Sequence, residues 1–263
     1  MNQRFYAGCD VGSTTGKAVI MDGREMVAWS IVPSDIDPER TAYAALDKAI
    51  EQIEDLNSVN ELVRLIGTGY GRTEVPFADK NISEISCHAQ GAFSCETKIR
   101  TIVDIGGQDI KAISINDDGT VLDFAMNDKC AAGTGKFFEA MSRTFKMDLQ
   151  EFSDLSLKAK RSIPISSQCS VFAESEVISL IAQKNPPEDI AMGIQESVAK
   201  RCYALLRRVG LQEKVAITGG CAKNMGLVKA LTKIMRSDIV QLSVDPQLIG
   251  AFGACIFARR EAR

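Results

Sequence analysis

A single histidine in 263 residues, eight cysteines with no Cys-x-x-Cys among them, and no excess of basic charge exclude several classes of function at the outset. One imidazole cannot assemble a histidine metal site by itself. Without Cys-x-x-Cys pairs, the usual single-chain zinc and ferredoxin spacings are missing. Lys and Arg number 31 against 34 Asp and Glu, so the chain lacks the basic field of a nucleic-acid binder. The terminal Arg259, Arg260 and Arg263 read as a solvated helix end. No apolar run approaches the ~20 residues that span a bilayer, so no membrane association is expected. The pattern Phe5-Tyr6-Ala7-Gly8-Cys9 enters a strand at once and leaves no signal peptide. Thiols in such a chain point to a reducing cytoplasm. A 45% hydrophobic, 25% charged composition is that of a globular protein, and the length allows two lobes with a core each.

What is present centres on two cysteines. Cys130 precedes Gly133-Thr134-Gly135 and an apolar-spaced segment running to about Phe145, and Cys169 precedes Ser170-Val171-Phe172-Ala173-Glu174. Both read as thiols where a loop becomes a helix, a position that favours the negative charge of cysteinyl sulfur. Either alone is equally a small buried hydrophobe. Cys9, Cys95, Cys202, Cys221 and Cys255 fall in apolar strands, helices or packing turns and read as core.

Around these lies a repeated hairpin. Arg4–Asp10 is a strand ending in an acid, followed by Gly12-Ser13-Thr14-Thr15-Gly16 and an outgoing strand from Lys17. Thr101–Asp104 repeats this, followed by Gly106-Gly107-Gln108-Asp109 and a strand Ile110–Ile115. Backbone N–H groups of such turns surround phosphates. Two acids and two hairpins facing one cleft suit a divalent cation and a polyphosphate, with Asp10 and Asp104 holding Mg²⁺ and Gln108 orienting water. Gly12…Gly16-Lys17 is not a P-loop: the glycines are too close and a strand follows the lysine. Val215–Thr218 is a buried strand opening into Gly219-Gly220, where backbone can lie flat on a purine. Glu139, one turn beyond Gly135, is placed to reach ribose hydroxyls, and Gln247 to touch adenine. Helices are expected over Asp37–Leu56, Ile82–Phe93, Glu188–Val209 and Met225–Met235, a strand over Ile239–Leu242, and a closing helix over 246–263. The lone His88 reads as a packing or hydrogen-bonding residue.

Asp10–Lys17, Asp104–Lys111, Asn127–Glu139, Ser166–Leu180 and Thr218–Asn224 together resemble the actin/sugar-kinase/Hsp70 ATPase superfamily. The strings Asn127–Gly135 and Val171–Ser179 narrow this to the activator ATPases of 2-hydroxyacyl-CoA dehydratases, a family that includes benzoyl-CoA reductase ATPase subunits. The resemblance covers essentially the whole chain. It implies an α/β fold of duplicated actin-like (ribonuclease H-like) lobes, 1–95 closed by 246–263 and 96–245, with the nucleotide cleft between them. It implies MgATP in each chain, and a homodimer sharing one 4Fe–4S cluster held by Cys130 and Cys169 of both chains. It also implies ATP-driven transfer of a low-potential electron, from a donor such as ferredoxin or flavodoxin, to an iron–sulfur dehydratase or reductase. Four thiolates from two per chain agree with a symmetric dimer. The competing readings are a small-metabolite kinase of the same superfamily, in which both cysteines are incidental, and an ATP-sensing regulator without redox activity.

Overall fold

The structure is a computed structural model that describes residues 4–167 and 169–262. Gln168, inside the second cysteine segment, Arg263 of the terminal arginine cluster, and residues 1–3 of the expected first lobe lie outside the described residues. The chain divides into two compact units. One comprises residues up to Lys98, Ile115–Val121 and those from Leu242 onward; the other comprises Ile99–Ser114 and Leu122–Gln241.

In the first unit, β1 (Phe5–Val11), β2 (Thr15–Asp22), β3 (Glu25–Pro33), β4 (Arg64–Thr68) and the short β5 (Lys80–Asn81) form one sheet in the order β3-β2-β1-β4-β5. β1 is buried along its whole length because both sheet faces are covered. Phe5, Ala7, Cys9 and Val11 point to α1 (Pro38–Ile50), where they meet Ala42, Ala45, Leu46 and Ala49. Tyr6 points to the opposite face, with Val19, Met21 and Ile66, against α8 (Ile249–Glu261) and α2 (Glu84–Cys95). The Asp37 side chain caps α1 and Pro38 sits in its first turn, so its start is well specified. Its end comes at Ile50 rather than Leu56. Beyond Ala49 the bonds tighten to three residues, Gln52 N–H to Ala49 O and Ile53 N–H to Ile50 O, which closes the helix.

The second unit holds β6 (Thr101–Ile105), β7 (Ile110–Ile115), β8 (Val121–Asn127) and β9 (Val215–Thr218) in the order β8-β7-β6-β9. Five helices accompany it: α3 (Gly135–Thr144), α4 (Leu149–Leu157), α5 (Ser170–Ala182), α6 (Pro187–Arg208) and α7 (Met225–Met235). Its core joins Val103, Ile105, Ile110 and Ile217 of the sheet to Phe137, Phe138, Ile190, Ile194 and Leu231 of the helices. β8 is an edge strand that the sequence pattern hides, because its outward Leu122 and Phe124 are exposed apolar residues rather than polar ones. The strand expected over Ile239–Leu242 is reduced to a single bridge, Val215 to Ile239.

Candidate functional site

Each unit carries the same small constellation at the end of its first strand. In the first unit, Asp10 pairs in register with Lys17 across the hairpin and with Thr68 on the parallel neighbour. In the second, Asp104 pairs with Lys111 and Thr218 in the same two senses. The lysine stands 3.4 Å from its aspartate in both cases. Both aspartates are buried, at 5% and 4% exposure, although they are carboxylates at strand ends. A burial of that kind requires paired charge and hydrogen bonds.

The threonine is followed in each unit by a glycine of positive φ, Gly69 at 92° and Gly219 at 84°. A Cβ on Gly69 would fall inside contact distance of Asp10 Oδ1, and one on Gly219 would stand 2.8 Å from Asp104 Oδ1 and 2.5 Å from Ile105 O. Both glycines therefore have a conformational and a steric reason to lack a side chain. The sequence reading found the two aspartates and hairpins. It missed the paired lysines as a repeat, although the spacing Asp10…Lys17 recurs in Asp104…Lys111, and it missed Thr68-Gly69 as the counterpart of Thr218-Gly219.

The first hairpin closes with Gly12 N–H donating to Thr15 O at 3.1 Å, and the Ser34 hydroxyl donates to Gly12 O at 2.7 Å. Ser13, Thr14, Thr15 and Gly16 complete its turn. His88 is buried beside it. A Cβ on Gly250 would stand 2.7 Å from Asp10 Oδ2 and 2.9 Å from His88 Nε2, so carboxylate and imidazole flank one point on α8. Gln247 belongs to this unit, just before α8, with its N–H on Asp245 Oδ1.

In the second unit the expected nucleotide residues converge. Gly106 N–H donates to Asp109 O at 3.0 Å, Gly135 N–H to Gly106 O at 2.9 Å and Lys136 N–H to Gly107 O at 2.9 Å. The hairpin carbonyls thus occupy amides of the first turn of α3. A Cβ on Gly135 would stand 3.2 Å from Gly107 Cα and 3.7 Å from Cys221 Sγ, which brings the Gly219-Gly220 turn to the same place. Thr134 is buried with its hydroxyl on Ala131 O at 2.8 Å, and Gly133 takes a φ of 103°. Glu139 is half-buried and pairs with Lys136 at 2.8 Å. Gln108 is exposed at the hairpin tip.

The cysteines separate into two groups. Burial pushes the Cys9, Cys87 and Cys202 thiols up to about 12, and those of Cys221 and Cys255 higher still, which makes them inert core residues. Among the eight, only Cys130 and Cys169 are exposed. Both belong to the second unit. Cys169 is the N-cap of α5 and its carbonyl accepts from Ala173 N–H at 2.9 Å. Cys130 departs from its expected setting: α3 begins at Gly135 with Thr134 at the N-cap position, so Cys130 lies in the preceding loop, its carbonyl accepting from Asn127 Nδ2 at 3.3 Å. The Gly133-Thr134-Gly135 segment with its positive φ delays the helix. Glu176 of α5 secures the other loop, accepting from Ser166 N–H, Ser166 Oγ and Ser167 N–H at 2.8–2.9 Å. Among the described residues, no group of three or more His, Cys, Asp or Glu is arranged to hold a metal ion within one chain.

Comparison with known proteins gives this arrangement a lineage. The chain is 45% identical to the activator of lactoyl-CoA dehydratase of Anaerotignum propionicum, over 98% of this chain and 99% of that one. It is 41% identical to the (R)-2-hydroxyglutaryl-CoA dehydratase activating ATPase of Acidaminococcus fermentans, over 98% of each. The solved activator of the 2-hydroxyisocaproyl-CoA dehydratase from Clostridium difficile, with bound ADPNP, superposes with a TM-score of 0.92 at 40% identity, covering 98% of this chain and 95% of that one. The fold is the α/β fold of the actin-like ATPases. The family model for the BadF/BadG/BcrA/BcrD ATPases matches residues 7–258, and the chain belongs to that family.

Proposed function

We propose that this protein is an ATP-dependent electron-transfer activator, a homodimer that drives a low-potential electron to a partner iron–sulfur enzyme such as a 2-hydroxyacyl-CoA dehydratase. The observation that carries this reading is the selective exposure of Cys130 and Cys169, in one unit, while five of the remaining thiols are buried. A kinase needs no exposed thiol, and relatives matched over their whole length are dehydratase activators. Ferredoxin or flavodoxin is the class of donor such a chain requires.

The donor set suits the cluster. Two exposed thiols per chain, one at a helix N-terminus, give four thiolates in a symmetric pair, the number a 4Fe–4S cluster takes. When bound, that cluster supplies the transferable electron.

The two units are read as the two ATPase lobes, and residues of each are assigned to MgATP. Gly12–Lys17 and Gly106-Gly107 take the phosphates, Asp10 and Asp104 the magnesium ion, and Gln108 orients the attacking water. Gly219 and Gly220 back the adenine, with Gly133, Thr134 and Gly135 beside it, Glu139 accepts from the ribose, and Gln247 reaches the base. The coupling path runs inside the second unit. Carbonyls of Gly106 and Gly107 hold the first turn of α3, the Cys130 loop leads into that turn, and Thr144 of α3 meets Glu174 of α5 one turn beyond Cys169. A change at the hairpin therefore moves elements that carry both thiols. The nucleotide shifts that balance only by its differential affinity for the two arrangements.

Anaerobic purification tests the proposal. The protein should be brown, with about four irons per dimer. Cys130→Ala and Cys169→Ala should each lose iron and electron transfer while binding ATP as the parent does. Full iron content in both variants would return the kinase reading to first place.

A further inference from the structure

The two hairpins share one pairing register and differ in charge at one position. Five residues beyond the strand-end acid stands Thr15 in the first and Asp109 in the second. The second hairpin therefore holds Asp104, Asp109 and Lys111 where the first holds Asp10 and Lys17. Lys111 is the more enclosed lysine, its side chain 2% exposed against 13% for Lys17. Its ammonium stands 2.7 Å from Asp109 Oδ2 and 3.4 Å from Asp104 Oδ2. The closer, charge-assisted contact goes to the acid at the hairpin turn and the looser one to the acid at the strand end.

We infer that Asp109 is a positioning residue for the cation end of the site: it draws the buried Lys111 ammonium toward the turn and keeps Asp104 available to a divalent cation. The inference rests on the reading of Asp104 as one of the two magnesium acids. The electrostatics give it a direction. A divalent cation and an ammonium compete for the same carboxylate, and in a buried setting that competition is strong. Asp109 gives the second hairpin one more negative charge than the first, which strengthens the hold of Asp104 on the cation. The arrangement also explains why a lysine is tolerated at 1% exposure: its charge is compensated in place rather than left for a ligand to satisfy.

The test is a manganese titration followed by electron paramagnetic resonance, with the non-hydrolysable nucleotide ADPNP present, and nucleotide binding measured separately in EDTA. Asp109→Asn should weaken manganese binding by at least about tenfold, the scale on which one uncompensated charge a few Å away acts. Nucleotide binding in EDTA should stay at the parent value, and Asp109→Glu should recover most of the loss. In Asp109→Asn/Lys111→Met the competing ammonium is gone, and manganese affinity should return to within a few fold of the parent. Weak binding that persists in the double variant, or parent-like manganese binding in folded Asp109→Asn, would overturn the inference. Asp104→Asn separates the two levels. If it loses manganese while Asp109→Asn does not, the magnesium assignment stands and the positioning role falls. If Asp104→Asn binds manganese as the parent does, the assignment itself falls.

Discussion

The Thr218 hydroxyl donates to Oδ1 of Asp104 at 2.9 Å, joining the end of β9 to the end of β6 inside the second unit. Both residues are buried, so the bond satisfies a carboxylate oxygen away from water. Thr218→Val keeps the shape and removes the donor. The expected loss is about 1–3 kcal/mol of stability, the cost of leaving a buried acceptor unsatisfied. It should appear as a lower urea midpoint with an unchanged slope. A midpoint equal to the parent's would mean that Asp104 finds another donor in the folded chain.

The next residue makes a sharper demand. Gly219 combines φ 84° with ψ 174°, a region open essentially to glycine alone. Gly219→Ala adds a methyl 2.5 Å from Ile105 O in a backbone conformation costing about 1–3 kcal/mol. Stability should fall by at least that much. Because the strained turn backs the proposed adenine site, ADPNP affinity should fall with it. A calorimetric titration that finds parent-like affinity would detach this turn from the nucleotide.

The third expectation concerns pH. Burial alone would raise the Glu176 carboxyl, but the hydrogen bonds from Ser166 and Ser167 outweigh it and hold it down at about 2, against an ordinary 4.5. A depressed carboxylate stabilises the fold fully above its unfolded value, and the contribution is lost as pH falls from about 4.5 through about 2. Glu176→Gln should therefore flatten the stability curve across that interval and leave its shape above it unchanged. Amide exchange at Ser166 and Ser167 should quicken in the variant at neutral pH, because the loop ahead of Cys169 has lost its acceptor. Identical acid limbs for parent and variant would rule out this carboxylate as the latch.

Much of this was legible in the chain. The duplicated acid-tipped hairpins, the Met225–Met235 helix and the buried strand before Gly219 follow from apolar runs punctuated by glycine. Three features were not. Cys130 lies outside α3 because Gly133, at φ 103°, interrupts a segment whose apolar spacing otherwise continues. β8 hides because Leu122 and Phe124 are exposed while the face that carries Asp123 holds the one buried residue, Ala125, so the apolar positions do not mark the buried side. The Thr68–Thr218 correspondence arises only when β4 and β9 pair in parallel with strands far away in sequence, and local pattern carries no record of that partner.

The last prediction concerns α5, which follows Cys169 directly. Only Ala173 and Val177 of this helix are buried, while Val171 and Phe172 are 68% exposed and Ile178 is 53% exposed. A surface helix usually turns its apolar residues inward, and so large an apolar face next to the exposed Cys169 suits a second copy of the chain. Phe172→Asp places a charge on that face, one helical turn or less from the Cys169 cap, without touching the core of the unit. Sedimentation should then show a monomer where the parent is a dimer. Iron should be lost with dimerisation, because each chain supplies only two of the thiolates. ADPNP binding and the thermal midpoint measured on apo-monomer should remain near the parent's, since the hairpins and Gly219 lie outside the altered face. A Phe172→Asp protein that stays dimeric and brown would move the interface, and the shared cluster with it, away from α5.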